Sequence, residues 1–203
     1  MKHINLIIIL LTVTLFSCKQ SENKTESETI ILAIPSKTTN DSLELQNLTR
    51  ALYKWNETKS SQADFDPIQI EKTDSVYTKL DLDSHKKRLK ELSETNLFSE
   101  QFIENYDKIA LTIDEKMLNK TIVWNIGELP SFGFDANPWC NCQDNPDNYW
   151  EILTIKKLAI KENKASFVWT WGDDFQYKTK AIKENNVWKI AYLEGFDFNE
   201  FIK

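Results

Sequence analysis

The residues best equipped for chemistry lie in one stretch, Asp135-Ala136-Asn137-Pro138-Trp139-Cys140-Asn141-Cys142-Gln143-Asp144-Asn145-Pro146-Asp147-Asn148-Tyr149-Trp150. Its two prolines, four asparagines and three aspartates make it a loop. Three readings of Cys140 and Cys142 stand. In an oxidising compartment they bridge, although an i, i+2 bridge needs a sharp local bend and would be open to redox exchange. They remain as two small, partly buried thiols. Or they supply half of a zinc set, with Asp144, Asp147 or His85 completing it. Asp135, Asp144 and Asp147 are also hard oxygen donors of the kind calcium takes, but their spacing is not that of an EF-hand, and side-chain capping of turns explains them more cheaply.

Aromatic residues are the second resource. Six of the seven tryptophans fall at or after Trp124. Trp139, Tyr149, Trp150, Phe167, Trp169 and Trp171 are the candidate ligand-binding residues, because exposed rings lining a concave face would stack on an apolar or sugar-like ligand. The competing reading is that the same rings fill the core, since alternation along a strand does not say which face is wet. Nucleophilic catalysis has little to draw on: His85 sits in a basic segment far from any motif. The acid pairs Asp173/Asp174 and Glu128/Asp135 could do acid–base work, but surface turns account for them. With only four glycines, at 127, 133, 172 and 195, the chain has no GxGxxG and no GxxxxGK[ST] phosphate loop. No cofactor is implied, and no catalytic residue stands out.

The elements that must position these residues change period midway. Asp41 or Ser42 reads as the N-cap of a helix whose face is Leu45, Leu48, Leu52 and Trp55. Phe65–Ile70 is a loop or short strand around Pro67. A second helix is expected from about Asp83, with Leu82, Leu89 and Leu92 inward and Lys86, Lys87, Arg88 and Lys90 on a solvated face. A third starts at a Ser99 cap, with Phe102, Ile103, Tyr106, Ile109, Ile113 and Met117 as its apolar stripe. Strands are then expected at Thr121–Ile126, Trp150–Ile160, Ala165–Trp171, Tyr177–Lys183 and Val187–Leu193, the last placing Trp188, Ile190 and Tyr192 together. The polar breaks at 161–164 and 183–186 suit hairpins. Helices first and an antiparallel meander after is an α+β pattern.

The N-terminus reads differently. Lys2 precedes an almost wholly apolar run, Ile4–Phe16, too short for a membrane-spanning helix, which needs about 20 residues. The run ends in Leu15-Phe16-Ser17-Cys18, which resembles the lipobox of bacterial lipoproteins, with Phe16 larger than the usual small residue. The resemblance implies a signal peptide over 1–17 and acylation of Cys18, for example with palmitate, so that two or three chains hold the protein on a membrane of the cell envelope, expected to be the outer membrane. Residues 18–40 are then the lipidated cysteine and a tether. Lys19–Thr29 holds no apolar residue, and Ile30–Ile34 could be an edge strand that docks the tether. Removal of residues 1–17 leaves 24 Lys+Arg against 31 Asp+Glu, an acidic balance that argues against a nucleic-acid partner.

The order of elements over 41–203, and the closing hairpin Tyr177-Lys178-Thr179-Lys180-Ala181-Ile182-Lys183-Glu184-Asn185-Asn186-Val187-Trp188-Lys189-Ile190, resemble the NTF2-like superfamily, and more narrowly its uncharacterised DUF3828-type lipoproteins. The resemblance implies N-terminal helices packed on a curved antiparallel sheet in a cone. That superfamily hosts several unrelated activities, so the fold does not give the function. The expectation is a membrane-anchored binding or interaction module for a small ligand or a partner protein. The alternatives are a hydrolase or isomerase using pocket carboxylates, or an inhibitor or immunity protein whose Trp139 loop projects as a plug.

Overall fold

The computed structural model describes residues 37–203, apart from 62, 70, 72–74, 131, 134, 135 and 173. Cys18, the tether as far as residue 36, the Ile30–Ile34 segment, Asp135 and Asp173 lie outside the described residues, while 37–40, expected to end the tether, instead begin the first helix. Within them the chain is α+β. Helix α1 (Lys37–Thr58) is followed by short strands β1 (Pro67–Ile68), β2 (Val76–Tyr77) and β3 (Lys79–Leu80), then helices α2 (Leu82–Glu94) and α3 (Glu100–Leu118). After β4 (Trp124–Asn125) and the single turn α4 (Tyr149–Ile152) come four longer strands: β5 (Thr154–Lys161), β6 (Lys164–Thr170), β7 (Tyr177–Glu184) and β8 (Val187–Leu193). A 3-10 turn (Glu194–Phe196) and α5 (Phe198–Phe201) close the chain. Strands β5 to β8 form an antiparallel meander in sequence order, while β1–β3 and β2–β4 pair as two small ladders. No helix among the described residues is long and apolar enough to cross a membrane.

Helix α1 starts before Asp41, so Asp41 is not its cap. Its inward stripe is Asp41, Leu45, Thr49, Leu52 and Tyr53, with Leu48 and Trp55 half-buried at its flank. Asp81 caps α2 by accepting the amides of Asp83 and Ser84, and Ser99 caps α3 by accepting that of Phe102. The inward face of α2 is His85, Arg88 and Leu92, not an all-leucine face. Lys86, Lys87 and Lys90 are exposed as expected, but Arg88 is 1 % exposed and points into the core.

The hairpins explain the meander. Asn185 and Asn186 both take positive φ (52° and 64°), the backbone of the tight turn whose twist matches its flanking strands. Two bulges then shift the alternation. Lys157 (φ 53°) lies where β5 slips against β6, which keeps Ile155 and Leu158 on one face although they are three residues apart. In β8, Ala181 pairs with Ile190 and Lys180 with Tyr192, so Ala191 is the extra residue. Trp188, Ile190 and Leu193 therefore face inward, and Tyr192 turns outward, against the simple alternation. The outer edge of β8 is covered by the segment before α3: the Ser99 amide donates to Ile190 O and the Ile190 amide to Leu97 O, each at 2.9 Å. The strand expected over Thr121–Ile126 shrinks to two residues, and Tyr149–Ile152 is helical rather than the start of β5.

Candidate functional site

The site grows from the loop after α1. Phe65 adopts φ 55°, a left-handed backbone that a bulky residue takes only when its surroundings enforce it, and such residues cluster at functional positions. The enforcing contacts are visible. The Phe65 ring stacks on Tyr106 (centroids 4.8 Å apart) and on His85, whose Nε2 lies 2.9 Å from Asp107 Oδ1. The same bend turns the neighbouring Asp64 inward.

Three donors converge on the Asp64 carboxylate. Arg88 Nε reaches Oδ1 at 3.0 Å, the Tyr106 hydroxyl donates to the same oxygen, and Trp139 Nε1 donates to Oδ2 at 2.6 Å. The Arg88 guanidinium also donates to Ser60 Oγ (2.6 Å) and Glu91 Oε2 (2.8 Å), and lies 5.2 Å and 5.3 Å from the ring centroids of Trp55 and Trp139. Burial opposes its charge, but Asp64, Tyr106 and Glu91 more than offset this and push its pKa up. Burial also works against ionised Glu91, yet the Ser61 amide and Arg88 outweigh it and hold the carboxyl below the usual range. Tyr106 is pushed well above the ordinary phenol, first by burial and then by Asp64, so it stays a donor. One buried cation thus holds two carboxylates in a fixed array, with the planar fork and ring stacking that arginine provides and lysine does not.

Next to Asp64 lies a cavity of about 150 Å³. Its walls include Phe65, Trp124, Phe132, Phe201 and Pro138. The rings are mutually braced: Trp124 and Phe132 meet edge to face at 5.3 Å, Phe132 and Phe201 at 6.1 Å, and Phe201 and Phe65 at 5.4 Å. Gly133, at φ 76°, leaves room for the Phe201 ring, which a Cβ there would meet at 3.2 Å.

The cysteine loop forms the other side of the site. Cys140 and Cys142 are joined in a disulfide, so neither sulfur is available as a metal ligand, and no group of three or more candidate ligands occurs among the described residues. Trp139 does not project from the loop as a plug for another molecule. It is 3 % exposed, inserted among Trp55, Phe98, Phe102 and Phe196. Two tyrosine hydroxyls pin its backbone: Tyr53 donates to Trp139 O at 2.8 Å while accepting from Trp169 Nε1 at 3.0 Å, and Tyr177 donates to Pro138 O at 2.7 Å while accepting from the Gly195 amide at 2.8 Å. A Cβ on Gly195 would sit 1.9 Å from Pro138 O, so only glycine permits this approach.

The other ring residues also belong to the interior. Tyr149 and Trp169 are buried and packed against Tyr53, while Phe167 lies in a separate small cluster with Leu45, Ala165, Ala181 and Trp188. Trp150 and Trp171 are half-buried, and Trp171 stacks on Phe175 at 3.7 Å. The ring face expected to line a concave pocket is instead closed by ring-on-ring packing, which removes large apolar surface from water. Asp144 and Asp147 are exposed. Glu128 is exposed too, its carboxylate accepting from Asn125.

Asp64, Arg88, Tyr106, Trp124, Phe132 and Phe201 are absent from the sequence-based candidates. One compositional signal points to part of the set: the chain has 25 Lys+Arg but only two arginines, Arg50 and Arg88. Both make specific long-range contacts, Arg50 Nε donating to Leu153 O at 2.9 Å. Comparison with protein-family models, curated proteins and solved structures finds no match to this chain.

Proposed function

We propose that this chain is a lipid-anchored lipoprotein of the cell envelope whose domain, an NTF2-like cone of helices against a meander, binds a small ligand in the aromatic pocket beside Asp64. The observation that carries the reading is the pairing of that cavity with a carboxylate whose position is set by Arg88, Tyr106 and Trp139. A mainly apolar pocket with one precisely oriented polar group is the usual form of a small-molecule site. Binding is favoured over catalysis because three donors already occupy both oxygens of the carboxylate, which fixes its orientation and leaves little scope for proton transfer. At about 150 Å³ the cavity is far below the ~300–1,000 Å³ of pockets that enclose drug-sized ligands, so it takes a headgroup or a very small molecule.

The anchor rests on Leu15-Phe16-Ser17-Cys18. Cells fed labelled palmitate should label the wild-type chain and not Cys18→Ala; equal label in both would contradict the anchor. Native mass spectrometry of the purified chain tests the site: a small adduct retained by the wild type and lost from Phe132→Leu supports it, and an adduct unaffected by that change places binding elsewhere.

A further inference from the structure

The surroundings of the Asp64 cavity identify the chemistry of its ligand. Four rings offer faces or edges to it, and a π-face carries partial negative charge. Trp124 is oriented by its own Nε1, which donates to Glu128 O at 2.9 Å. That engages the N–H elsewhere, so the indole offers the cavity no donor. Among the described residues of the lining, Asp64 alone carries a full charge. Arg88 does not cancel it, because the same guanidinium also serves Glu91. Asp66 and Asp81 add further negative charge: Asp66 has its pKa raised by burial and by the proximity of Asp81 and Asp64.

We propose that the pocket bounded by Asp64, Phe65, Trp124, Phe132 and Phe201 is a binding site for a small alkylammonium group. This rests on reading the cavity as a ligand site and adds the class of ligand. An anion would face the Asp64 carboxylate and an aromatic wall with no positive charge. A hard metal ion would find one carboxylate and carbon walls where it needs several oxygens. A neutral apolar group would fill the space but leave uncompensated the net negative charge of two carboxylates, Asp64 and Glu91, that share the single Arg88 guanidinium. An alkylammonium satisfies both parts, its methyl or methylene groups against the rings and its charge toward Asp64. Pro138 closes the cavity beside them and adds no charge.

The test compares two probes of nearly the same shape, choline and its neutral isostere 3,3-dimethyl-1-butanol, by titration calorimetry on the full-length chain in a non-ionic maltoside detergent. Choline is expected to bind at least about tenfold more tightly than the isostere, in line with cation–π attraction in a desolvated site. Asp64→Asn should remove most of that preference. Because Asp64 also holds Arg88 and Trp139, this variant could fail to fold. Phe132→Leu keeps the wall apolar but removes one π-face, and should weaken choline about fivefold while leaving the isostere unchanged. Equal affinity for the two probes overturns the cation inference and leaves the pocket reading standing. No binding of either overturns both. Co-sedimentation with phosphatidylcholine vesicles, against phosphatidylglycerol vesicles, separates the sources: capture by the first alone assigns a lipid headgroup, and capture by neither, with free choline bound, assigns a soluble amine.

Discussion

Asp41 and Asp64 are built from the same parts at different places in the domain. Each carboxylate accepts an indole N–H, from Trp188 at 3.0 Å and from Trp139 at 2.6 Å, and each pairs with a cation, Lys183 and Arg88. The Asp41 pair borders an open polar trough of about 460 Å³ lined by Glu162, Asn163, Asn185 and Asn186, the turns of two hairpins. Its lysine side chain is 21 % exposed. The Asp64 pair is held by an arginine side chain 1 % exposed, set between two indoles, and opens on aromatic walls. Identical chemistry ties α1 to the β7–β8 hairpin in one case and builds a ligand-sized space in the other. What separates them is the desolvation of the cation and the neighbours that surround it.

Removing each cation should expose that difference most strongly. Arg88→Met leaves the half-buried Asp64 and Glu91 both without their shared counter-charge and should cost about 3–5 kcal/mol. Lys183→Met strands one carboxylate rather than two, and Asp41 keeps the Trp188 indole N–H, so it should cost less, about 2 kcal/mol. Urea denaturation of both variants checks this, and equal losses would erase the distinction. Gly195→Ala acts on the Asp64 side alone, by driving the Pro138–Cys142 loop off its seat, and should cost about 3 kcal/mol or more through overpacking. The Asp41 pair should survive wherever the variant still folds, visible as a retained Trp188 indole resonance.

Alkali provides a smaller, graded probe. Tyr53, Tyr106 and Tyr177, which hold the Trp139 loop and Asp64, all have pKa values pushed well above 10.0, chiefly by burial. Tyr192 is pushed up to about 12 by burial and Asp197. In the unfolded chain these phenols ionise near 10, while in the folded chain they keep their protons. Their contribution to stability is therefore complete below pH 10 and is lost as pH rises through the folded values. Denaturation midpoints should be level on this account up to about pH 9.5 and fall above it; Tyr106→Phe should make the fall shallower. Smallest of all is reduction of Cys140–Cys142. The loop it closes is very short, and Tyr53, Tyr177 and Trp139 already fix it, so a reductant should cost only about 1.5 kcal/mol.

Much of the frame was legible in the sequence. The Ser99 cap, the apolar stripe of α3 and the two polar hairpin breaks are local signals, and the structure keeps them. The phase of β8 was not legible, because the Ala191 bulge depends on pairing with β7 and leaves no mark on β8 alone. The Trp150 segment reads as strand by composition, yet the turn at Asn148 (φ 52°) starts a helical turn there. The site was hidden for a related reason. Arg88 sits among Lys86, Lys87 and Lys90, so its neighbours suggest a solvated face, and its partners Asp64, Trp55 and Trp139 all come from distant parts of the chain. Asp64 gains its partners from helix positions 24 and 42 residues away and from a loop 75 residues away, distances over which no periodicity speaks. The aromatic-rich sheet half was correctly seen as unusual, but its rings mostly serve the interior.

The proposed binding surface lies beside Asp64 and not at the sheet's tryptophans or the Asp41 trough. Indole ¹⁵N–¹H spectra of the chain during a choline titration test this directly, because its seven tryptophans report from distinct places. Saturable shifts are expected for Trp124, which lines the cavity, and Trp139, which donates to Asp64, with Trp188 and Trp150 unmoved. Shifts confined to Trp188, Trp150 or Trp171, or an unchanged spectrum at saturating probe, would contradict it.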